Sequence, residues 1–424
     1  MDTRRANTLN HVSIIGNGFA AAECIVTLRA HGYRGKITLF SDNDHGILCP
    51  MLTTYYAAEK ISYGEMFPYG DDFYEKYDIN FRPCDPVKRL YAKEKRIVTE
   101  SGYEETFDSC LIATGTSAIR PPLEGCNLEG VVTVRTAADA VELRKYADQK
   151  PKRVVVMGAA MVGIKVVEIF QKLGTEVVLA DMGTRMFPLI ASEECASRIQ
   201  KRLEDAGVKI LLGHRLEKIQ KLENGQLRVS FGADHPTEDA DMVALCLGTR
   251  PNTRFIDREE VHIDRGVVVD THMRTNIPYI YAAGDVSQGN NIATGETALI
   301  GLLANAREQG RNAARNMLGK ETEYFGDILH NISHFMGMDF VGVGDVNDYD
   351  RMEQIDENGI LIQLFYKNNK LVACNTLDSY LESGQLIWLI TKNFIGNTET
   401  DIQEYLERLP HFIADGNSRK EWTV

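Results

Sequence analysis

Gly16-Asn17-Gly18-Phe19-Ala20-Ala21 and Gly158-Ala159-Ala160-Met161-Val162-Gly163 are the two stretches of this 424-residue chain whose composition and spacing imply ligand chemistry. Each follows an apolar run, HVSII (His11 to Ile15) and RVVVM (Arg153 to Met157), and each leads into a stretch compatible with a helix. In such a motif the first small residue makes a tight turn, the second lets the backbone approach a pyrophosphate, and the third lets helix and strand pack closely. The pyrophosphate then rests on the free N–H groups and positive end of the helix. An acid after the next apolar strand completes the pattern, Asp42 in the first unit and Asp181 in the second, where a carboxylate meets a ribose. One glycine-rich turn alone is weak. Two of them, each with a second strand and an acid, imply a chain that binds two dinucleotides or descends from one that did. The second motif is damaged, because Ala160 places a methyl where the backbone must come closest to phosphate. Weak binding and a vestigial site both follow from that methyl.

Other chemistries find little support. The eight cysteines (Cys24, Cys49, Cys84, Cys110, Cys126, Cys195, Cys246, Cys374) are scattered, with no C-x-x-C. That excludes a locally encoded iron–sulfur or zinc site and a redox pair close in sequence. His330 and His334 stand at helical spacing but lack further ligands of metal type, so no metal site is expected. A net charge of −13 argues against nucleic acid and anionic membrane surfaces as partners. It is compatible with a basic protein partner or with ordinary solubility. No run approaches the ~18 apolar residues needed to span a bilayer. The opening MDTRRANTLN lacks the apolar core and cleavage pattern of an export signal. A reducing cytoplasm fits best.

The elements that must hold the motifs alternate. HVSII, a helix over Ala20 to Ala30, and KITLF (Lys36 to Phe40) form the first strand–helix–strand unit. Arg153 to Ala180 forms the second, its helix stopped by Gly174. Such alternation implies parallel sheets covered by helices. SCLIATGT (Ser109 to Thr116) and MVALCLGT (Met242 to Thr249) read as short buried strands ending on glycine. RPNT, IPYIYAAGDV (Ile277 to Val286) and a helix over Glu296 to Met317 follow. From about Tyr324 the pattern changes to alternating strands, a hairpin turn at Asn368-Asn369 and an apolar helix, SGQLIWLITKN. The fold class is α/β: two Rossmann-like units plus a separate C-terminal domain.

The order G-x-G-x-x-A, ATG, G-x-x-x-x-G, GT-R-P-N, YAAGD, C-terminal domain resembles the pyridine-nucleotide-dependent FAD oxidoreductases. The branch similar to rubredoxin and ferredoxin reductases, with its anaerobic relatives, is the nearest in pattern. The resemblance covers nearly the whole chain. It implies an FAD-binding domain over 1–118 and 248–323, interrupted by an NAD-binding domain over 119–247, with a C-terminal interface domain over 324–424. Gly16, Gly18 and Ala21 would then cradle the FAD pyrophosphate, with Asp42 near its ribose. Ala113-Thr114-Gly115 would mark the crossing between domains. Gly284 and Asp285 match the family's GD pair, whose aspartate holds the ribityl chain. The helix beginning near Glu296 would aim its positive end at the flavin's pyrimidine edge and stabilise charge on reduced flavin. Gly158, Ala160 and Gly163 would take the phosphate positions of the second unit. Asp181 would bond the ribose of NAD and repel a 2′-phosphate. No basic residue stands among Met182, Gly183 and Thr184, which favours NAD over NADP.

Two departures concern the chemistry. Where related reductases carry a lysine beside flavin N5, the matching stretch Pro50-Met51-Leu52-Thr53-Thr54 has threonine. The glutamate that pairs with that lysine is replaced by Lys165. The resemblance then implies a positive charge on the other wall of the same cavity, with Lys165 as catalytic residue; an ordinary exposed helix lysine is the equal alternative. Cys49 could be the flavin-side cysteine of NADH oxidases and coenzyme A disulfide reductases. Pro50 replaces the glycine that follows it there, and Tyr55-Tyr56 stands too far along, so a structural thiol is favoured.

The resulting expectation is an FAD-dependent oxidoreductase that passes a hydride between NAD(H) and flavin, then electrons to or from a partner. With no centre of its own beyond the flavin, its partner would be an iron–sulfur or other redox protein or subunit. The nearest pattern is the FAD/NAD-reductase subunit of anaerobic complexes of the tungsten aldehyde oxidoreductase or phenylglyoxylate dehydrogenase type. A self-contained NADH oxidase or disulfide reductase using Cys49, and a flavoprotein binding module with a vestigial NAD site, are the alternatives.

Overall fold

The computed structural model describes residues 9–232, 236–380 and 383–395. Residues 1–8, read above for an export signal, and 396–424 of the expected C-terminal domain lie outside the described residues. The chain divides into two compact units, one of Met1–Ser117 with Thr249–Asp327, the other of Ala118–Gly248 with Ile328–Val424. No helix among the described residues is long and apolar enough to cross a membrane.

In the first unit, near-continuous apolar runs dictate strands buried on both faces, the signature of a parallel sheet. Its five strands run in the order Ile280–Ala282, Ser109–Ile112, His11–Ile15, Lys36–Phe40, Asn80–Arg82, all parallel. Ile15 lies opposite Phe40 on one side and Ile112 on the other. Phe19–Ala30 packs on Leu303–Met317 at close range, since a Cβ on Gly310 would stand 2.2 Å from the Ala20 carbonyl oxygen. An antiparallel meander (Val87–Tyr91, Arg96–Thr99, Glu104–Thr106) is clamped to the parallel sheet by the buried carboxylate of Glu105. Lys36, Ser13, Thr38 and Tyr103 all donate to it.

The second unit repeats the plan. Lys209–Leu212, Glu176–Asp181, Arg153–Met157, Met242–Leu245 and Val131–Thr133 form a parallel sheet in that order, with a meander of Lys218–Lys221, Leu227–Ser230 and Glu238–Ala240. The same unit holds a five-stranded antiparallel sheet, ordered His330–Phe335, Met338–Val343, Lys370–Leu377, Ile360–Lys367, Arg351–Glu357. The helix Ser383–Ile395 packs against its Lys370–Leu377 strand. Asn368 and Asn369 both have positive φ (51° and 61°), as a two-residue hairpin turn demands.

Two sequence expectations are corrected. The helix expected from Glu296 begins at Leu303. Gly295, at φ +72°, turns the chain back, so Thr297–Ala298 pairs antiparallel with Ser287–Asn290 and takes the residues read as the first helical turns. His330 and His334 lie on a strand, where a spacing of four shares one face as it does on a helix.

Candidate functional site

The first phosphate turn is shaped by its glycines for two different reasons. Gly16 has φ +106°, and a Cβ there would stand 2.3 Å from the carbonyl oxygen of Ala113, so the protein itself forbids a side chain. Gly18 has an ordinary extended backbone, and a Cβ there would meet no protein atom within 4 Å. The space in front of Gly18 is open, as close approach of a pyrophosphate to the backbone requires. Ala21 is buried under the sheet. Asn17 braces the turn by donating to the His45 carbonyl at 3.0 Å and pairing with the Tyr74 hydroxyl. Asp42 is exposed, two residues past the strand end, and Asn43 donates to it at 2.9 Å.

Ala113, Thr114 and Gly115 (φ +59°) meet the GT-R-P-N motif through one side chain. Asn252 donates from its amide to the Thr114 carbonyl (3.0 Å) and from its backbone N–H to the Gly115 carbonyl (3.0 Å). It accepts from the hydroxyls of Thr114, at its carbonyl, and of Ser117, at its side chain. The motif was visible in the sequence, but not that its asparagine joins the two crossing strands. Gln309 was missed altogether. Buried in the Leu303–Met317 helix, its side-chain oxygen accepts from the Gly284 N–H (2.7 Å) and the Ser287 hydroxyl (2.9 Å), which fixes the Gly284-Asp285 turn. No local pattern distinguishes such a glutamine from a surface one. Gly284 has φ +79° and lies between Ala20 and Ala306, whose Cβ atoms would stand 3.2 and 3.6 Å from a Cβ placed there.

In the second unit Gly158 repeats Gly16: φ +117°, with Cys246 O at 2.2 Å from a virtual Cβ. Gly163 permits no side chain either, since a Cβ would stand 1.9 Å from the Gly158 carbonyl oxygen. Ala160 is exposed, with an unstrained extended backbone. The Asp181 carboxylate accepts from the N–H groups of Ala159 and Gly183, each at 2.7 Å, and so sits against the phosphate turn. The Lys165 ammonium donates to the His334 carbonyl and lies 3.7 Å from Glu168.

The longer helices whose starts are described begin in two ways. Thr136 caps Ala137–Asp148 with a capping box, and Ser192 caps Glu193–Asp205 through its hydroxyl. Phe19–Ala30, Met161–Lys172 and Leu303–Met317 begin at Gly18, Ala160 and Leu302, none of which supplies a side-chain cap. Helix starts without a capping side chain suit anions. The cleared backbone at Gly18, the helix end behind it and the Gly284-Asp285 turn fit an FAD. The matching turn and Asp181 fit a second dinucleotide, with Ala160 narrowing the approach.

Cys49 is 5% exposed, and burial pushes its thiol above the usual range against the pull of the Met51 and Leu52 N–H groups. It is a poor nucleophile there, because the thiolate is the reactive form. Thr53 donates to the Pro50 carbonyl at 2.7 Å, which spends its hydroxyl on the local turn. Among the described residues no group of three or more His, Cys, Asp or Glu could hold a metal ion.

Known proteins share this fold. The chain is 29% identical over 334 residues to the epsilon subunit of NADH-dependent phenylglyoxylate dehydrogenase from Aromatoleum evansii, covering 78% of each chain. It is 26% identical over 384 residues to rubredoxin-NAD(+) reductase from Pseudomonas putida, covering 88% of this chain and 97% of that one. Among solved structures it superposes on a water-forming NADH oxidase from Lactobacillus brevis bound to NADH with a TM-score of 0.85 at 22% identity, covering 92% and 91%. The putidaredoxin reductase of a covalent complex with putidaredoxin gives 0.83 at 22% identity, covering 95% and 99%. The family model described as pyridine nucleotide-disulphide oxidoreductase matches residues 10–310. The chain belongs to that family and is an FAD- and NAD(H)-dependent oxidoreductase.

Proposed function

We propose that this chain is the NAD(H)-reductase component of a cytoplasmic multi-subunit electron-transfer system, serving an iron–sulfur or other redox protein that carries its own centre. The observation that carries its nucleotide-binding part is the pair of matched glycine turns, Gly16 and Gly158 at positive φ, each leading into a long helix that starts without a side-chain cap. When bound, the flavin supplies the step from hydride to single electrons. The protein contributes binding and orientation. Residues 1–118 and 248–323 hold FAD through Gly16, Gly18, Ala21, Asp42, Ala113, Gly115, Gly284 and Asp285. Residues 119–247 hold NAD(H) through Gly158, Ala160, Gly163 and Asp181, and 324–424 form the interface domain. Asp181 favours NAD over NADP, since its fixed carboxylate opposes a 2′-phosphate. For Lys165, the bonds to His334 and Glu168 support a role in holding the C-terminal sheet.

The names of the relatives support a reductase of a partner protein, since rubredoxin, ferredoxin and a dehydrogenase subunit set all occur among them. NADH oxidases occur as well. The burial of Cys49 favours the first over the second. The test is anaerobic addition of NADH to the yellow protein: the flavin should bleach rapidly, and Cys49→Ser should leave NADH-to-acceptor turnover intact. Loss of turnover in Cys49→Ser would transfer the chain to the oxidase reading, and an unreduced flavin would reduce it to a binding module.

A further inference from the structure

One row across the antiparallel sheet of the C-terminal region holds four amide side chains and a glycine. Gln354 lies opposite Gln363, Gln363 opposite Asn375, Asn375 opposite Gly342, and Gly342 opposite Asn331, so five consecutive strands contribute one residue each. Gln363 and Asn375 are 1% and 0% exposed. Buried amides persist only when bonded. Gln363 donates to Gln354 and Asn375 to the Cys374 carbonyl; their partners outside the sheet belong to the turn Ile190–Ser192. Asn375 donates to the Ile190 carbonyl (2.6 Å) and accepts the Ser192 N–H (2.8 Å). Ser192 donates its hydroxyl to Gln363 at 2.6 Å while accepting the Cys195 N–H that caps the next helix. Gly342 completes the socket, since a Cβ there would stand 2.7 Å from the Ile190 carbonyl oxygen.

The segment held in this way starts at Asp181. Within it, Phe187 adopts φ +48°, a conformation that costs a residue with a Cβ and persists only when its surroundings impose it. Its ring is buried against Phe340 (5.3 Å) and Phe335 (6.1 Å) of the same sheet. Its N–H donates to the carbonyl of Ala159, inside the phosphate turn, at 3.3 Å. Phe187 thus joins the turn by its backbone and the C-terminal sheet by its side chain. Met182 and Leu189, by contrast, are 71% and 67% exposed, so they do little to fix the segment.

We infer that the Gln363–Asn375 amide row and Phe187 are positioning residues for NAD(H), making the C-terminal sheet a structural part of the nucleotide site. This rests on the assignment of that site to Gly158, Ala160 and Asp181. Loosening the turn lets the segment drift and carries Ala159 with it, so nucleotide affinity falls while the chemistry of the bound complex is untouched.

The experiment is anaerobic stopped-flow reduction of the FAD-loaded full chain by NADH, separating the apparent Kd from the limiting rate. Asn375→Ala removes both bonds to the turn and should raise the Kd about tenfold. FAD content and limiting rate should stay at wild-type values. Ser192→Ala, which folds more safely, should raise the Kd about threefold. Phe365→Leu, in the core formed with Val346 and Ala373, should lower Tm without moving the Kd. An unchanged Kd in both Asn375→Ala and Ser192→Ala overturns the inference, as does an equal rise in Phe365→Leu. Should Asn375→Ala not fold, Ser192→Ala decides alone. Asp181→Ala separates the two levels. If it too leaves the Kd unchanged, the site assignment fails; if it alone weakens NADH, only the role of the C-terminal sheet fails.

Discussion

Gly18 and Ala160 begin their helices with nearly the same backbone, φ −108° and ψ −172° against φ −115° and ψ −171°. The two turns share a backbone and differ in the side chains they carry. At the third small position the order reverses. The first unit accommodates Ala21, while the second allows no Cβ at Gly163 because the Gly158 carbonyl lies directly beneath it. Past the second strand, Gly16 bonds the Phe40 carbonyl and Gly158 that of Ala180, so Ser41 is the residue matched to Asp181, and Asp42 lies one step further out. Two residues beyond the third small position, the first unit has Glu23 and the second has Lys165. Glu23 accepts from Arg307 (2.7 Å), Arg311 (2.8 Å) and Tyr69 (2.9 Å), and so ties its helix to the Leu303–Met317 helix. Lys165 ties its helix to the C-terminal sheet through His334. One backbone turn thus carries different side chains in the two units, and these fasten each helix to a different neighbour.

The same substitution at the matched helix starts gives the largest separation. Gly18→Val introduces a side chain into space no protein atom fills, on a backbone valine tolerates. The variant should fold with unchanged circular dichroism and emerge colourless. Ala160→Val should keep its FAD and lose reduction by NADH. Full flavin occupancy in Gly18→Val would remove the first unit as the FAD site. Next in size is Asp181→Ala, which should narrow the preference for NADH over NADPH by about tenfold, the equivalent of ~1.4 kcal/mol. The corresponding Ser41→Ala should leave that ratio unchanged. Equal rates with the two nucleotides in the unmodified protein would end the reading of Asp181.

Periodicity and motif spacing made the parallel sheets legible, because each buried strand is a continuous apolar run and each turn needs a glycine at positive φ. The helix start was not legible. Glu296 to Leu302 is compatible with helix by composition, and the turn at Gly295 that gives Thr297–Ala298 to a strand is a tertiary matter. Nor were Gln309, Asn375 and Gln363, buried amides whose bonds to the Gly284 turn and to Ser192 span 22 or more residues. Hydrogen bonds of that range leave no local pattern. The cofactor motifs could be read because their constraint is local, whereas the scaffold that holds them is bonded across long separations.

Ala160→Gly probes the damaged motif at a smaller scale. Its methyl is exposed and unstrained, so removing it costs the fold little. If that methyl limits phosphate approach, NADH should bind several-fold more tightly, with FAD content and the NADH to NADPH ratio unchanged. Weaker binding would show that the pyrophosphate does not pass over this residue.

The matched charges give the subtlest contrast. Burial alone would raise the carboxyl of Glu23, but Arg311, Arg307 and Tyr69 hold it below the ordinary range. A depressed folded-state pKa contributes stability that is present above the unfolded value of about 4.3 and is lost as pH falls through the folded value. Glu23→Gln should therefore cost about 1–2 kcal/mol at neutral pH and flatten the acid side of the stability curve. Lys165→Gln should do much less. An amide can still donate to the His334 carbonyl, and Glu168 keeps Lys172 at 2.7 Å. The expected loss is below about 1 kcal/mol, with the flavin midpoint potential unmoved. A charge acting on the reduced flavin predicts the opposite pair of results, a lowered potential and slower reduction by NADH with stability intact. Redox titration of Lys165→Gln beside its melting curve therefore decides whether the exchanged charge belongs to the chemistry or to the attachment of the C-terminal sheet.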